Sequence, residues 1–140
     1  MNFLHFRITK LFLLLLIVHP TLWSAPAIIN YAGQVSVNGS PFSGSGQFKF
    51  AMVYATTNSV TSVWSNDGTS KSGSEPNDHV AVQVNGGLYS ILLGNQAING
   101  MAPINPGIFS TNNDLALRVW FNDGINGFQQ LSPDRPLASV

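Results

Sequence analysis

The chain is predicted to be all-β, an antiparallel sandwich with one hydrophobic core. Three observations carry that prediction. Apolar side chains recur at every second position, most clearly in Leu115, Leu117, Val119 and Phe121, with Ala116, Arg118 and Trp120 on the other side. Turn signals such as Asn38-Gly39, Asn85-Gly86 and Asn122-Asp123-Gly124 punctuate these runs at short intervals. The helix formers are scarce: of 140 residues only one is Glu and three are Lys, and charged residues make up 9%.

The elements follow in order. Residues 28–37 form a first strand, closed by Asn38-Gly39, the strongest short hairpin signal. Residues 42–46 are a Gly/Ser-rich link. A second strand over 47–54 turns Phe48, Phe50 and Met52 inward, with Gln47, Lys49 and Ala51 opposite. A third, 60–65, ends in Val63-Trp64-Ser65-Asn66-Asp67-Gly68. The stretch 68–78 is the longest without pattern and is expected to be a mobile surface loop. Val80, Val82 and Val84 alternate, Asn85-Gly86 turns, and Tyr89, Ile91 and Leu93 alternate again, which predicts the best hairpin in the chain.

Segment 94–111 holds Pro103 and Pro106, which forbid a ladder strand; a loop with one helical turn, pinned by Ile104, Ile108 and Phe109, is expected. The strand 114–121 ends in a second Val-Trp-x-Asn-Asp-Gly phrase, so the two phrases read as equivalent strand ends. A last strand begins at 128–131, is broken by Ser132-Pro133-Asp134-Arg135-Pro136, and resumes over 137–140. About seven strands, joined by short turns, suit a sandwich of immunoglobulin-like or transthyretin-like type.

Residues 1–27 have the three parts of a secretory signal and stand outside the 28–140 domain. Arg7 and Lys10 supply the positive start, residues 11–18 the apolar stretch, and Ala25-Pro26-Ala27 the small-x-small site, for a mature start at Ile28. The apolar stretch is far shorter than the roughly 20 residues a spanning helix needs. The expectation is an exported protein, extracellular or on the cell surface, with the periplasm as the alternative, and with no stable membrane span after cleavage. There is no Cys, hence no disulfide, thiolate nucleophile or Cys-bound metal. Formal charge is zero and no basic stripe exists, which speaks against nucleic acid.

An ordered set of pieces spans the domain: Ile29-Asn30-Tyr31-Ala32-Gly33-Gln34-Val35, Gly46-Gln47-Phe48-Lys49-Phe50-Ala51, Trp64-Ser65-Asn66-Asp67-Gly68, Asn85-Gly86-Gly87-Leu88-Tyr89-Ser90, Leu93-Gly94, Arg118-Val119-Trp120-Phe121-Asn122-Asp123-Gly124, and Leu131-Ser132-Pro133 through Leu137-Ala138-Ser139-Val140. In this order it resembles an N-terminal module of exported, often tail-fibre-like bacterial surface proteins, versions of which are common in Planctomycetes and Verrucomicrobia. The resemblance implies a module placed just after a signal peptide and brings no catalytic residues with it. Longer relatives continue past the Ser-Val ending. This sequence stops at Val140, either as a fragment of a longer surface protein or as a module standing alone.

The residues point away from an enzyme. One histidine, His79, remains in the domain, with no Gly-x-Ser-x-Gly elbow and too few ligands for zinc. The acids Asp67, Glu75, Asp78, Asp114, Asp123 and Asp134 sit at turns and strand ends, where Asp bonds its own backbone. Asp67 and Asp123 could share a calcium ion if their turns met, but neither turn has the spacing of a calcium loop, so no cofactor or metal is expected. For ligand binding the candidates are Trp64, Trp120, Arg118 and Tyr89. Trp120 points either outward, beside Trp64 as a stacking platform for a glycan, or beneath residues 69–78 or 95–111. Arg118 would stack on Trp64 rather than on its own neighbour. The expected function is a structural or adhesive module that binds a protein partner or its own copies, with carbohydrate binding as the alternative.

Overall fold

The structure is a computed structural model, and it describes residues 24–137. Alternation of apolar side chains produces strands where it predicts them, and the fold is all-β, antiparallel throughout and closed into no barrel. The strands are β1 (Ile29–Gln34), β2 (Ser36–Val37), β3 (Ser40–Pro41), β4 (Gly44–Ala55), β5 (Val60–Ser65), β6 (Val80–Val84), β7 (Leu88–Leu93), β8 (Leu115–Asn122) and β9 (Gln129–Pro136), with one short helix, α1 (Gly107–Thr111). The expectations for residues 1–23 and for 138–140 lie outside the described residues. Of the segment before β1, Ala27 donates its N–H to Ile104 O at 3.0 Å. Among the described residues no helix is long and apolar enough to cross a membrane.

The organising element is β4. Its 12 residues pair with β8 on one side and, on the other, with β6 along its first half and β5 along its second. With β9 outside β8, this makes a five-stranded sheet. Over it lies a sheet of two strands, β1 and β7. Between the layers sit Phe48, Phe50, Met52, Leu93, Ile104 and Leu117, all buried. Burial of side chains of this size contributes roughly 1.5–3 kcal/mol each against the cost of ordering the polypeptide. Met101 and Ile98, from the segment after β7, join the same core together with the expected Ile104, Ile108 and Phe109.

Unusually for a two-layer fold, β4 is apolar on both faces. Ala51, Val53 and Trp120 form a second buried cluster on the face away from β1 and β7, with Val60, Ala116 and Phe128 against it. Lys49 also points to this face and is buried; its ammonium lies 4.0 Å from the Phe128 ring centroid and 2.6 Å from Glu75 Oε1.

Four expectations need correction. Residues 80–84 and 88–93 do not form a hairpin: β6 pairs with β4 and β7 with β1, and only Asn85 and Leu88 bridge at the turn. The turn residues are Gly86 and Gly87, both at positive φ, which β-branched or bulky side chains avoid. The backbone thus crosses between layers, letting Val80, Val82 and Val84 face Tyr89, Ile91 and Leu93 across the core. Second, the first strand breaks at Val35, whose C=O accepts from Phe42 N–H, giving a separate small ribbon, β2–β3, around Asn38-Gly39. Third, the Gly/Ser link at 42–46 is partly strand, because β4 starts at Gly44 and Gly46 sits where any Cβ would run into the Phe48 and Phe121 rings. Fourth, the last strand is not broken at 132–136. β9 runs through Pro133 and Pro136 as an edge strand and absorbs extra residues in a bulge opposite Arg118.

Candidate functional site

The two Asn-Asp-Gly phrases end the strands that flank β4, yet they place their tryptophans on opposite faces. Trp64 stands opposite Met52 and belongs to the main core, where its indole N–H donates to Ala102 O at 3.3 Å and Pro103 O at 3.1 Å. Trp120 stands opposite Lys49 and lies in the second cluster. Their exposures are 9% and 5%. The structure does not bring the two indoles together and gives neither an open ring face. Residues 95–104 cover the Trp64 side, and residues 69–78 cross the Trp120 side.

Arg118 is not stacked on Trp64. The bulge in β9 turns Asp134 towards it, and the guanidinium holds that carboxylate through Nε at 3.0 and 3.1 Å and Nη2 at 2.7 Å. Its Nη1 donates to Gly73 O at 2.9 Å. The fork geometry of arginine suits this double grip. Arg118 therefore ties the edge strand to the loop, and the loop is far from structureless. Glu75 pairs with Lys49, Gly73 N–H donates to Ser62 Oγ, and the Ser62 and Ser70 hydroxyls bond at 2.7 Å. Pro76 is fully buried. The stretch 69–78 is a strap across the second face.

Asp67 anchors the root of this strap. Its carboxylate accepts from Ser65 Oγ, Thr69 N–H, Thr69 Oγ1 and Asp78 N–H, at 2.7–3.1 Å. Burial pushes its pKa up, but these donors outweigh burial and hold it below the ordinary carboxylate value. Asp123 serves only its own turn. The N–H groups of Asn126 and Ile125 donate to it at 2.8 and 2.9 Å and lower its pKa. Each acid's oxygens are taken up locally, and among the described residues no group of three or more His, Cys, Asp or Glu is placed to hold a metal ion. His79 is exposed, beside the Phe128 ring.

Tyr89 is the candidate that leads to a surface feature. It is buried beneath Gly33, where a Cβ would overlap its ring. Burial holds its hydroxyl well above the usual phenol range, so it stays protonated, and the Tyr31 ring lies tilted against its own with centroids 6.1 Å apart. Beside it an open groove of about 610 Å³ runs between β1 and the β8–β9 side of the large sheet. Leu117, Val119 and Leu131 line it with Tyr31 and Tyr89, and Arg135 stands in its wall. The groove exists because the small sheet has two strands over a sheet of five.

A second surface feature lies on the outside of the small sheet. Alternation puts Asn30, Ala32 and Gln34 of β1 and Leu88, Ser90 and Leu92 of β7 on that face, none of them charged. Leu88 is 62% exposed, Leu92 41%, and Ile28, just before β1, 56%.

Residues 30–134 match the family described as Domain of unknown function (DUF8740). The protein belongs to that family. No curated protein and no solved structure matches it. The DUF8740 match runs from β1 into β9, so both layers, the strap and all of the groove lining except Arg135 lie inside it.

Sequence reasoning missed Asn66, a polar residue that ties three segments of the fold together. It is wholly buried. Its Oδ1 accepts from Phe50 N–H at 2.9 Å, and its Nδ2 donates to Asp78 O and Gly100 O at 3.0 and 3.2 Å. Its backbone carbonyl accepts from Ala102 N–H. One signal was present: Asn66 has the same parity as Trp64, so the alternation carries it to the core side.

Proposed function

We propose that this DUF8740 domain is an exported, non-enzymatic module with a structural or adhesive role in a bacterial surface or fibre-like assembly, docking a protein partner or further copies of itself. The observation that carries this reading is the outer face of the β1–β7 sheet. Leu88, Leu92 and Ile28 stand on it in the open, flanked by uncharged side chains only. Exposed apolar side chains gathered on one flat, charge-free face favour association, because covering them releases water at no cost of charge desolvation. By contrast the charged groups Lys49, Glu75, Arg118 and Asp134 are paired among themselves on the opposite face. The sequence resemblance to surface-protein modules supports the same reading. Glycan stacking on the tryptophans draws no support from this geometry, since both rings are covered.

Sedimentation velocity over a range of concentrations, together with cross-linking on intact producing cells, tests the proposal. The expected result is association or a cross-linked protein neighbour, lost in a Leu88→Glu, Leu92→Glu double variant that remains folded. A protein that stays monomeric and captures no neighbour overturns it.

A further inference from the structure

The two strands that border the groove, β1 and β9, are built differently. β9 is protected: Pro133 and Pro136 lack an N–H, and the bulge opposite Arg118 bends the strand away from a flat edge. β1 has no proline, charge or bulge over residues 29–34, and its ladder with β7 is unbroken. Val35 N–H donates to Gly87 O, which sets the phase of that ladder. Tyr31 and Gly33 therefore turn their backbone groups to β7. Asn30, Ala32 and Gln34 turn theirs to the groove side, and no described hydrogen bond between elements uses them.

We propose that β1 is a docking edge for an extended segment of another protein, which adds as a third strand to the small sheet and fills the groove over Leu117, Val119 and Leu131 with alternate apolar side chains and one carboxylate directed at Arg135. The inference deepens the reading of this protein as an interaction module and rests on it. The occupant must be a polypeptide in strand form. Only a backbone offers donors and acceptors at the spacing of Asn30, Ala32 and Gln34, while every second side chain drops onto an apolar floor. The carboxylate follows from charge. Arg135 is the sole charged residue lining the groove, and among the described residues it forms no ion pair. The Asp134 next to it is already held by Arg118. A third strand also evens the two layers, covering the half-buried Tyr31 and Leu131 and the exposed Pro133 at the rim of the groove.

The probe is a synthetic peptide of about six residues, the usual length of a strand, alternating Val and Thr and carrying one Asp. It is compared with a twin N-methylated on alternate residues and a twin with Lys in place of the Asp. Binding is read by fluorescence anisotropy and by amide exchange on the whole secreted protein. The parent peptide is expected to bind and to slow exchange at Asn30, Ala32 and Gln34. N-methylation weakens it by at least about tenfold, since the edge hydrogen bonds are lost while the side chains stay. Ala32→Pro removes one outward N–H and has the same effect. Arg135→Glu reverses the preference between the Asp and Lys peptides. Because the N-methylated twin is used on the unaltered protein, misfolding of a variant cannot imitate the result. No binding, equal binding of the N-methylated twin, or unchanged exchange along β1 overturns the inference. Association through Leu88 and Leu92 in a protein that ignores all the peptides overturns strand addition and leaves the outer-face reading standing. Peptide binding along β1 in a protein whose outer face binds nothing does the reverse.

Discussion

Asn66-Asp67-Gly68 and Asn122-Asp123-Gly124 are one phrase written twice, and the molecule uses the two copies for different purposes. Both begin two positions after a Trp, both end a strand that pairs with β4, and both turn through a glycine at positive φ. At the first copy the asparagine is buried and joins β4, the strap and the segment after β7. At the second, Asn122 bonds Gln47 and its own turn at the surface. Local sequence sets the turn in both. What differs is how much other polypeptide has to be held at that point.

The two copies should differ most at their asparagines. Asn66→Ala leaves Phe50 N–H, Asp78 O and Gly100 O without their partner in a buried site, and is expected to cost roughly 3 kcal/mol. Asn122→Ala, at the half-exposed end of β8, should cost no more than about 0.5 kcal/mol. Urea unfolding of both variants checks the ratio, and equal midpoints would dissolve the distinction. Next come the tryptophans. Trp64→Phe gives up two carbonyl contacts of the indole N–H and is expected to lose about 1–2 kcal/mol. Trp120→Phe, whose indole makes no hydrogen bond among the described residues, should lose less; thermal unfolding ranks them.

The aspartates give a smaller contrast that is easier to localise. Asp67→Asn retains the side chain's shape but weakens its grip on Thr69 and Asp78. Limited proteolysis should then cut within 69–78, a stretch expected to resist in the native protein. Asp123→Asn should leave the digestion pattern unchanged. The smallest effect is the pH dependence. Both carboxyls have lowered pKa values in the fold. Each therefore adds stability that is complete above the ordinary carboxylate value and is lost as pH falls through its own folded value. Acid unfolding of Asp67→Asn should show a shallower decline than the native protein, and Asp123→Asn a curve closer to native, because its turn is solvent-exposed.

Strands were legible in the sequence and their partners were not. Phe48, Phe50 and Met52 alternate, and no other backbone form would bury all three on one side. That Ala51, Val53 and Ala116 are also apolar was visible too, and marks a sheet covered twice, though not by what. The Gly-rich turn at 86–87 bends the backbone equally well into a hairpin or across the core; the choice lies with β1 and β4, which claim the two strands from far along the sequence. The strap 69–78 has the composition of a free loop. Its order comes from Arg118, Lys49 and Asp67, contacts that span 45, 26 and 11 positions. Among the candidate binding residues, Trp64 and Trp120 share a phrase, but each strand's register on β4 decides which face its Trp takes.

The long central strand also sets a timetable. The side chains of Gln47 and Asn122 meet across 75 positions of sequence. A polypeptide delivered N-terminus first, whether by a ribosome or through a membrane pore, presents Phe48, Phe50 and Met52 long before Leu117 and Val119 arrive to cover them. Contacts this distant in sequence make closure slow. For that whole interval the half-made sheet is sticky, and its fate is in the hands of whatever escorts it.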